Sequence, residues 1–182
     1  MQKLFRSSTA YKPYLVSILY SFVAALTVAV ICIAVARIVT KLKHKWDKLY
    51  EPLILIPWLL PSTMIALGLM MTYDEARWNL ANKVLVATPV IMLIAYMIIK
   101  LPFSYRMIRA AFIGLDGNME EAAQVMGAKP LYTMRKVILP IIMPIVLSVI
   151  VLNFNGLLSE YDLSVFLYHP SYQPLGIVIK LA

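Results

Sequence analysis

Uncharged apolar runs bounded by charge divide this chain. From Pro13 to Ala36, roughly 24 residues carry no charge, enough for the ~20-residue helix that crosses ~30 Å of hydrocarbon. Pro52 to Tyr73 supplies roughly 22 such residues and Val137 to Ser159 roughly 23, by the same length criterion. A shorter run, Val84 to Ile99, has about 16, with Lys100 placed to snorkel outward. The pattern predicts an all-α integral membrane protein with about four transmembrane helices. Pro57 and Pro61 interrupt the second run, and Pro140 and Pro144 stand early in the fourth. Such breaks read either as simple kinks or as features of a transport path.

The polar connectors set orientation. Lys41, Lys43, Lys45 and Lys48 lie between the first two runs. Arg106, Arg109, Lys129, Arg135 and Lys136 lie between the last two. Two runs separate these basic connectors, so both face one side, and the positive-inside bias makes that side the cytoplasm. Both ends of the chain then face the periplasm. Lys3, Arg6 and Lys12 fit that placement poorly unless another helix precedes them. The first run is too long for a cleavable signal peptide, and no small-residue cleavage site precedes a soluble domain.

Composition agrees with lipid as solvent. The chain is 62% hydrophobic and 14% charged, with mean hydropathy +0.80, where a soluble domain is about half apolar and about a quarter charged. The net charge of +8 sits between apolar runs and not along a soluble stripe, which argues against nucleic-acid binding. A lone Cys32 forms no disulfide framework, and His44 and His169 fall in different compartments, so no metal centre is expected. No Ser/His, Asp/Asp or His-Glu-x-x-His set suggests an intramembrane enzyme, so no catalytic residue is assigned. No P-loop is present, so any ATP is bound by a partner and the chain itself takes no cofactor.

The connector NMEEAAQVMGAKPLYTMRKVILP is the most informative stretch. Asn118 with Glu121 forms a capping-box pattern. Gly127 suits a left-handed helix end, and Pro130 suits the first turn of a second helix. The reading is two short helices joined at Gly127. Ala122, Ala123 and Met126 form a small apolar surface suited to a protein contact.

That stretch resembles the EAA motif of binding-protein-dependent ABC import permeases. Glu121, Ala122, Ala123, Gly127, Val137, Leu139 and Pro140 match its spacing, with Val137 where the family usually has Ile. SFVAALTVAV upstream and LSEYDLSVFLYHPSYQPLGIVI downstream extend the resemblance over roughly residues 14 to 180, the latter stretch resembling the ferric-iron branch. The resemblance implies a partial type I ABC importer permease core over residues 14–182, with a cytoplasmic coupling loop at 116–138 and an N-terminal extension at 1–13. It implies a multi-pass protein of the bacterial inner membrane that passes substrate, foremost ferric iron, from a periplasmic binding protein. Polyamine, thiamine, sulfate, phosphonate and sugar phosphate are alternative substrates. Partners would be a dimeric cytoplasmic P-loop ATPase, a second permease half or copy, and the lipid bilayer. Glu121, Ala122 and Ala123 would dock in a groove of the ATPase; the plainer role for Glu121 is to cap the helix. Family members carry a helix before Pro13 and another after residue 182, so the chain reads as most of a second half in truncated form. A standalone channel is a competing reading that leaves the helix-Gly-helix connector unexplained.

Asn153 and Asn155, late in the fourth run, are candidate translocation-path residues or interhelical hydrogen-bond formers. Glu160 and Asp162 are expected just outside the membrane as solvated carboxylates. Tyr11, Tyr14 and Tyr168 are expected as interfacial anchors.

Overall fold

A computed structural model of the chain describes residues 11–42, 47–74, 84–86, 88–169 and 172–181. The helices are α1 (Lys12–Leu42), α2 (Asp47–Leu59), α3 (Ser62–Tyr73), α4 (Pro89–Ile113), α5 (Gly117–Val125), α6 (Pro130–Thr133), α7 (Leu139–Leu158), α8 (Ser164–Leu167) and α9 (Leu175–Leu181). A π-helical turn, Met134–Ile138, joins α6 to α7. The expected extension at 1–13 lies mostly outside the described residues.

The core of the bundle is α1, α4 and α7. Tyr20, Ala24, Val28, Cys32 and Ala36 of α1 are buried at helical spacing. The small side chains of Ala24, Cys32 and Ala36 let α4 and α7 approach closely, as van der Waals packing in lipid favours. Leu15, Leu19, Phe22 and Val30 of the same helix face outward. An outward apolar face is stable only against lipid or another membrane chain.

Two buried clusters define the ends of the bundle. One joins Val28, Cys32 and Ala36 to Tyr105, Ile108 and Phe112 of α4 and to Ile138, Ile142 and Val149. The other joins Tyr20 and Ala24 to Ile91, Ala95 and Tyr96 of α4, Ala66 of α3, and Leu157, Leu163 and Leu167. The first lies at the inner end, beside the basic connectors, and the second at the outer end.

The second span is broken, not straight. Glu51–Leu59 and Ser62–Tyr73 meet at 101°. Pro61 donates no backbone hydrogen bond and disfavours helical geometry at Leu60, while its carbonyl accepts from Met64 N and Ile65 N to start α3. The pair packs along both clusters of the bundle. Ile54 of α2 packs on the inner cluster, whereas Ala66, Leu69 and Tyr73 of α3 pack on the outer one. At the inner end, Arg109 pairs with Glu51 at 2.5 Å and Arg106 lies 5.5 Å from the centre of the Trp58 ring.

The third span differs from the expected 84–99. It starts at Pro89, after Thr88 accepts from Ile91 N, and continues to Ile113. Ser104, Tyr105, Ile108, Ala111 and Phe112 supply a buried stripe that carries the helix past Lys100, Pro102 and Arg106. Burial on this stripe outweighs the one hydrogen bond lost at Pro102. Residues beyond α7 fold back on the bundle. Leu163 and Leu167 are buried, Tyr96 and Ser164 share a 2.8 Å hydroxyl hydrogen bond, and Ser17 Oγ accepts from Leu175 N. Glu160 is accordingly half-buried, with its carboxylate accepting from Leu163 N, and is not the freely solvated group expected; Asp162 is exposed.

Candidate functional site

The connector after α4 folds as a helix, a glycine turn and a second helix. Asp116, not Asn118, is the N-cap of α5: its Oδ1 accepts from Asn118 N at 3.0 Å. The capping box expected of Asn118 and Glu121 therefore does not form. At the other end Gly127 N donates to Gln124 O at 2.9 Å, and Ala128 N to Ala123 O at 3.0 Å. This paired closure needs a left-handed residue, and Gly127 has φ +81°. No atom lies within 4 Å of where a Cβ on Gly127 would stand, so backbone conformation and not crowding selects glycine.

Pro130 opens α6 as expected. The second helix is not a separate short one, however. It runs through the π turn into α7, where Leu139 N donates to Met134 O across five residues. Pro140 has no N–H for the ordinary ladder, and the wider turn accommodates its ring. Val137 and Ile138 sit in that turn, and Pro140 is in the first turn of α7. Leu139 packs on the inner cluster.

Electrostatics hold α5 in place. Glu120 Oε1 accepts from Arg37 Nη2 at 2.6 Å and pairs with Lys41 Nζ at 2.9 Å. Arg37 and Lys41 are one turn apart on α1, so one carboxylate is gripped by both. The hydrogen bond from Arg37 and the neighbouring positive charge lower the Glu120 pKa below its ordinary value. Its place in the first turn of α5 also suits the helix dipole. The EAA spacing does not single out Glu120. The available signal was a doubled Glu opposite a basic i, i+4 pair at the end of the first run.

The expected docking residues separate. Glu121 and Ala122 are exposed, and among the described residues Glu121 forms no ion pair. Ala123 is buried within the chain at 5% exposure, so it serves internal packing and not an outer surface. The outward apolar face comes instead from Val125 at 88%, Met126 at 82% and Leu131 at 80%, with Tyr132 beside them. A cavity beside the Glu120 contact is lined by Arg37, Glu120, Gln124, Val137 and Ile141.

The two asparagines also separate. Asn153 is buried and its Nδ2 donates to Ser104 Oγ at 2.7 Å, tying α7 to α4. Asn155 is exposed on another face of α7. Only Asn155 retains a place on an open surface. Among the described residues no group of three metal-ligating side chains occurs.

Residues 29–180 match the family described as binding-protein-dependent transport system inner membrane component. The chain belongs to that family. It is a multi-pass inner-membrane chain, and the regular elements of its described residues are helices. A probable ABC transporter permease protein, y4fN, of Sinorhizobium fredii is 34% identical over 170 residues, 93% of this chain and 30% of the relative. A probable sulfate transport system permease protein, cysT, of Prototheca wickerhamii is 26% identical over 78% of this chain and 57% of its own length. A putative 2-aminoethylphosphonate transport system permease protein, PhnV, of Salmonella paratyphi A is 23% identical over 93% of this permease chain and 62% of its own length. The chain thus spans a part of each of these relatives. Its fold matches a crystal structure of a bacterial ABC transporter involved in importing the acidic polysaccharide alginate, with TM-score 0.82 over 98% of this chain and 69% of that one, at 16% identity.

Proposed function

We propose that this permease chain is a membrane-spanning part of an ATP-driven importer and that its 116–138 loop transmits motion from a separate ATPase. The observation that supports this most is the grip of Arg37 and Lys41 on Glu120. It fixes one face of α5 to the membrane helices and leaves Glu121, Ala122, Val125 and Met126 turned outward with Leu131 and Tyr132. An apolar patch rimmed by charge, beyond the membrane helices, suits a protein contact. A loop anchored on one face and docked on the other carries displacement into α1 and α7. Hydrolysis belongs to a dimeric P-loop partner, and this chain acts without catalysis or cofactor of its own. A second permease half or copy and a periplasmic binding protein complete the assembly.

Ferric iron is the cargo implied by the motif resemblance. The relatives cited above for a cargo are named for sulfate, an anion, and 2-aminoethylphosphonate, a zwitterion with an anionic phosphonate, and a small oxyanion-bearing cargo is the reading adopted here.

The test is recovery of the ATPase with the detergent-solubilised permease. Leu131→Asp should cut recovery at least tenfold at unchanged permease abundance, since it places a charge in the apolar contact. Recovery equal to the unsubstituted chain would refute docking through this face.

A further inference from the structure

Two openings meet at the inner end of the bundle. One is an apolar groove of about 370 Å³ between α4 and α7, with Met107, Ala110, Ala111 and Gly114 on one side and Ile142 and Ile145 on the other. The four residues of the α4 side recur at helical spacing on one face, and the last three are small enough to leave a depression there. The other opening is the cavity beside the Glu120 contact, of about 600 Å³. Leu115 and Ile141 line both, so the groove runs into the cavity.

The joined openings have a direction. Helix α4 runs toward the inner end and α7 runs away from it, so Met107 and Ile145 stand deeper in the membrane than Leu115 and Ile141. From Met107 to Leu115 the groove follows the chain for about 12 Å. Met107 and Ile145 are exposed, so the deep end is open at the bundle surface. At the shallow end the lining becomes charged, with Arg37, Lys41, Asp116, Glu120 and Glu121. Glu120 Oε1 meets one nitrogen of Arg37 and the ammonium of Lys41. A guanidinium has five N–H donors and an ammonium three, so both cations keep donors to spare. Asp116 and Glu121, both exposed, add two carboxylates to the same cavity.

We propose that the groove and cavity hold one zwitterionic phospholipid of the inner leaflet. An acyl chain lies between α4 and α7, the phosphate meets Arg37 and Lys41, and the ammonium end meets Asp116 and Glu121. A phospholipid has this order of chemistry from hydrocarbon to water: apolar chain, phosphate, cation. An anionic headgroup would satisfy the two cations but be repelled by the carboxylates around them. A transmembrane helix of another chain would fill the groove and leave the charged cavity without a counterpart. The lipid touches α5 and α7 together, which makes it part of the joint between the coupling loop and the span. The proposal uses the membrane placement of the chain and does not depend on ATPase docking.

The test counts lipid by native mass spectrometry. The transporter is purified in detergent, washed free of loosely held lipid, and exposed to equal amounts of dioleoyl phosphatidylethanolamine and dioleoyl phosphatidylglycerol. The unsubstituted chain should retain phosphatidylethanolamine at least about fivefold over phosphatidylglycerol. Asp116→Asn combined with Glu121→Gln removes two negative charges while asparagine still caps α5, and should pass the preference to phosphatidylglycerol. Ala110→Trp fills the groove and should abolish retention of both. Equal retention of the two lipids, a preference for phosphatidylglycerol, or no retained lipid on the unsubstituted chain would overturn the proposal. So would an unchanged preference in the doubly substituted chain, whose two positions are exposed and tolerate the change even if Ala110→Trp does not accumulate. ATPase recovery with the unsubstituted chain reports on the permease reading separately.

Discussion

Glu120 and Arg37 are 83 positions apart in sequence and 2.6 Å apart in the fold. Their pairing fastens the coupling helix to the inner end of α1. Lys41 adds a second contact to the same oxygen at 2.9 Å. Side-chain exposures of 17% for Arg37 and 21% for Glu120 keep water from screening the pair fully. The coupling energy from Arg37→Gln and Glu120→Gln in a double-mutant cycle should be on the order of 1 kcal/mol, above a typical exposed pair. Thermal unfolding in detergent measures it, and a value near zero would remove the anchoring role.

The same carboxylate gives the loop a pH dependence. Its folded-state pKa is lowered, so its contribution is fully present above the ordinary value of about 4.3 and is lost as pH falls through the folded value. Amide hydrogen exchange in α5, corrected for the intrinsic pH dependence of exchange, should rise as pH falls through the folded value in the unsubstituted chain. Glu120→Gln should show the higher exchange level without acid. Identical profiles for the two proteins would exclude Glu120 as the titrating group.

Gly127 should accept asparagine better than valine. A β-branched residue at φ +81° is strained by about 1–3 kcal/mol, whereas asparagine visits the left-handed region more readily. Gly127→Val should lower thermal stability of the loop and ATPase recovery together, and Gly127→Asn should retain most of both. Equal behaviour would mean that the turn relaxes to another geometry.

Ala123 and Val125 should respond differently. Ala123→Trp overfills a site inside the chain, at about 1–3 kcal/mol, and should destabilise the permease even without ATPase. Val125→Asp alters an exposed position and should weaken ATPase recovery while leaving stability within about 0.5 kcal/mol. Thermal unfolding without the partner separates the two effects.

Topology follows from the broken second span. Reporter fusions at Lys45 and Lys129 should both report cytoplasm, and one at Asn79 periplasm. The placement of Ile54 on the inner cluster and Ala66 on the outer one is the observation behind this expectation. A shared compartment for Lys45 and Asn79 would make α2 and α3 a re-entrant loop.

Local chemistry was enough for several features. Uncharged runs longer than the bilayer core specified the first and fourth helices, because lipid excludes unpaired charge over that length. Gly127 and Pro130 specified the turn and the second helix start, since each residue restricts its own backbone. Packing between distant segments decided the rest. Buried contacts at Ser104, Tyr105 and Ile108 extend α4 past Lys100, where the uncharged run ends. Asp116 took the cap because the chain leaves α4 there, and Asn118 N then had its acceptor. The choice between adjacent Glu120 and Glu121 could not be read from the EAA spacing. It depended on which helical face meets Arg37 and Lys41 across the bundle, as did the inward turn of Ala123. Asn153 and Asn155 divide for the same reason: two residues along a helix turn the side chain by roughly 200°, and only α4 determines which of them is buried.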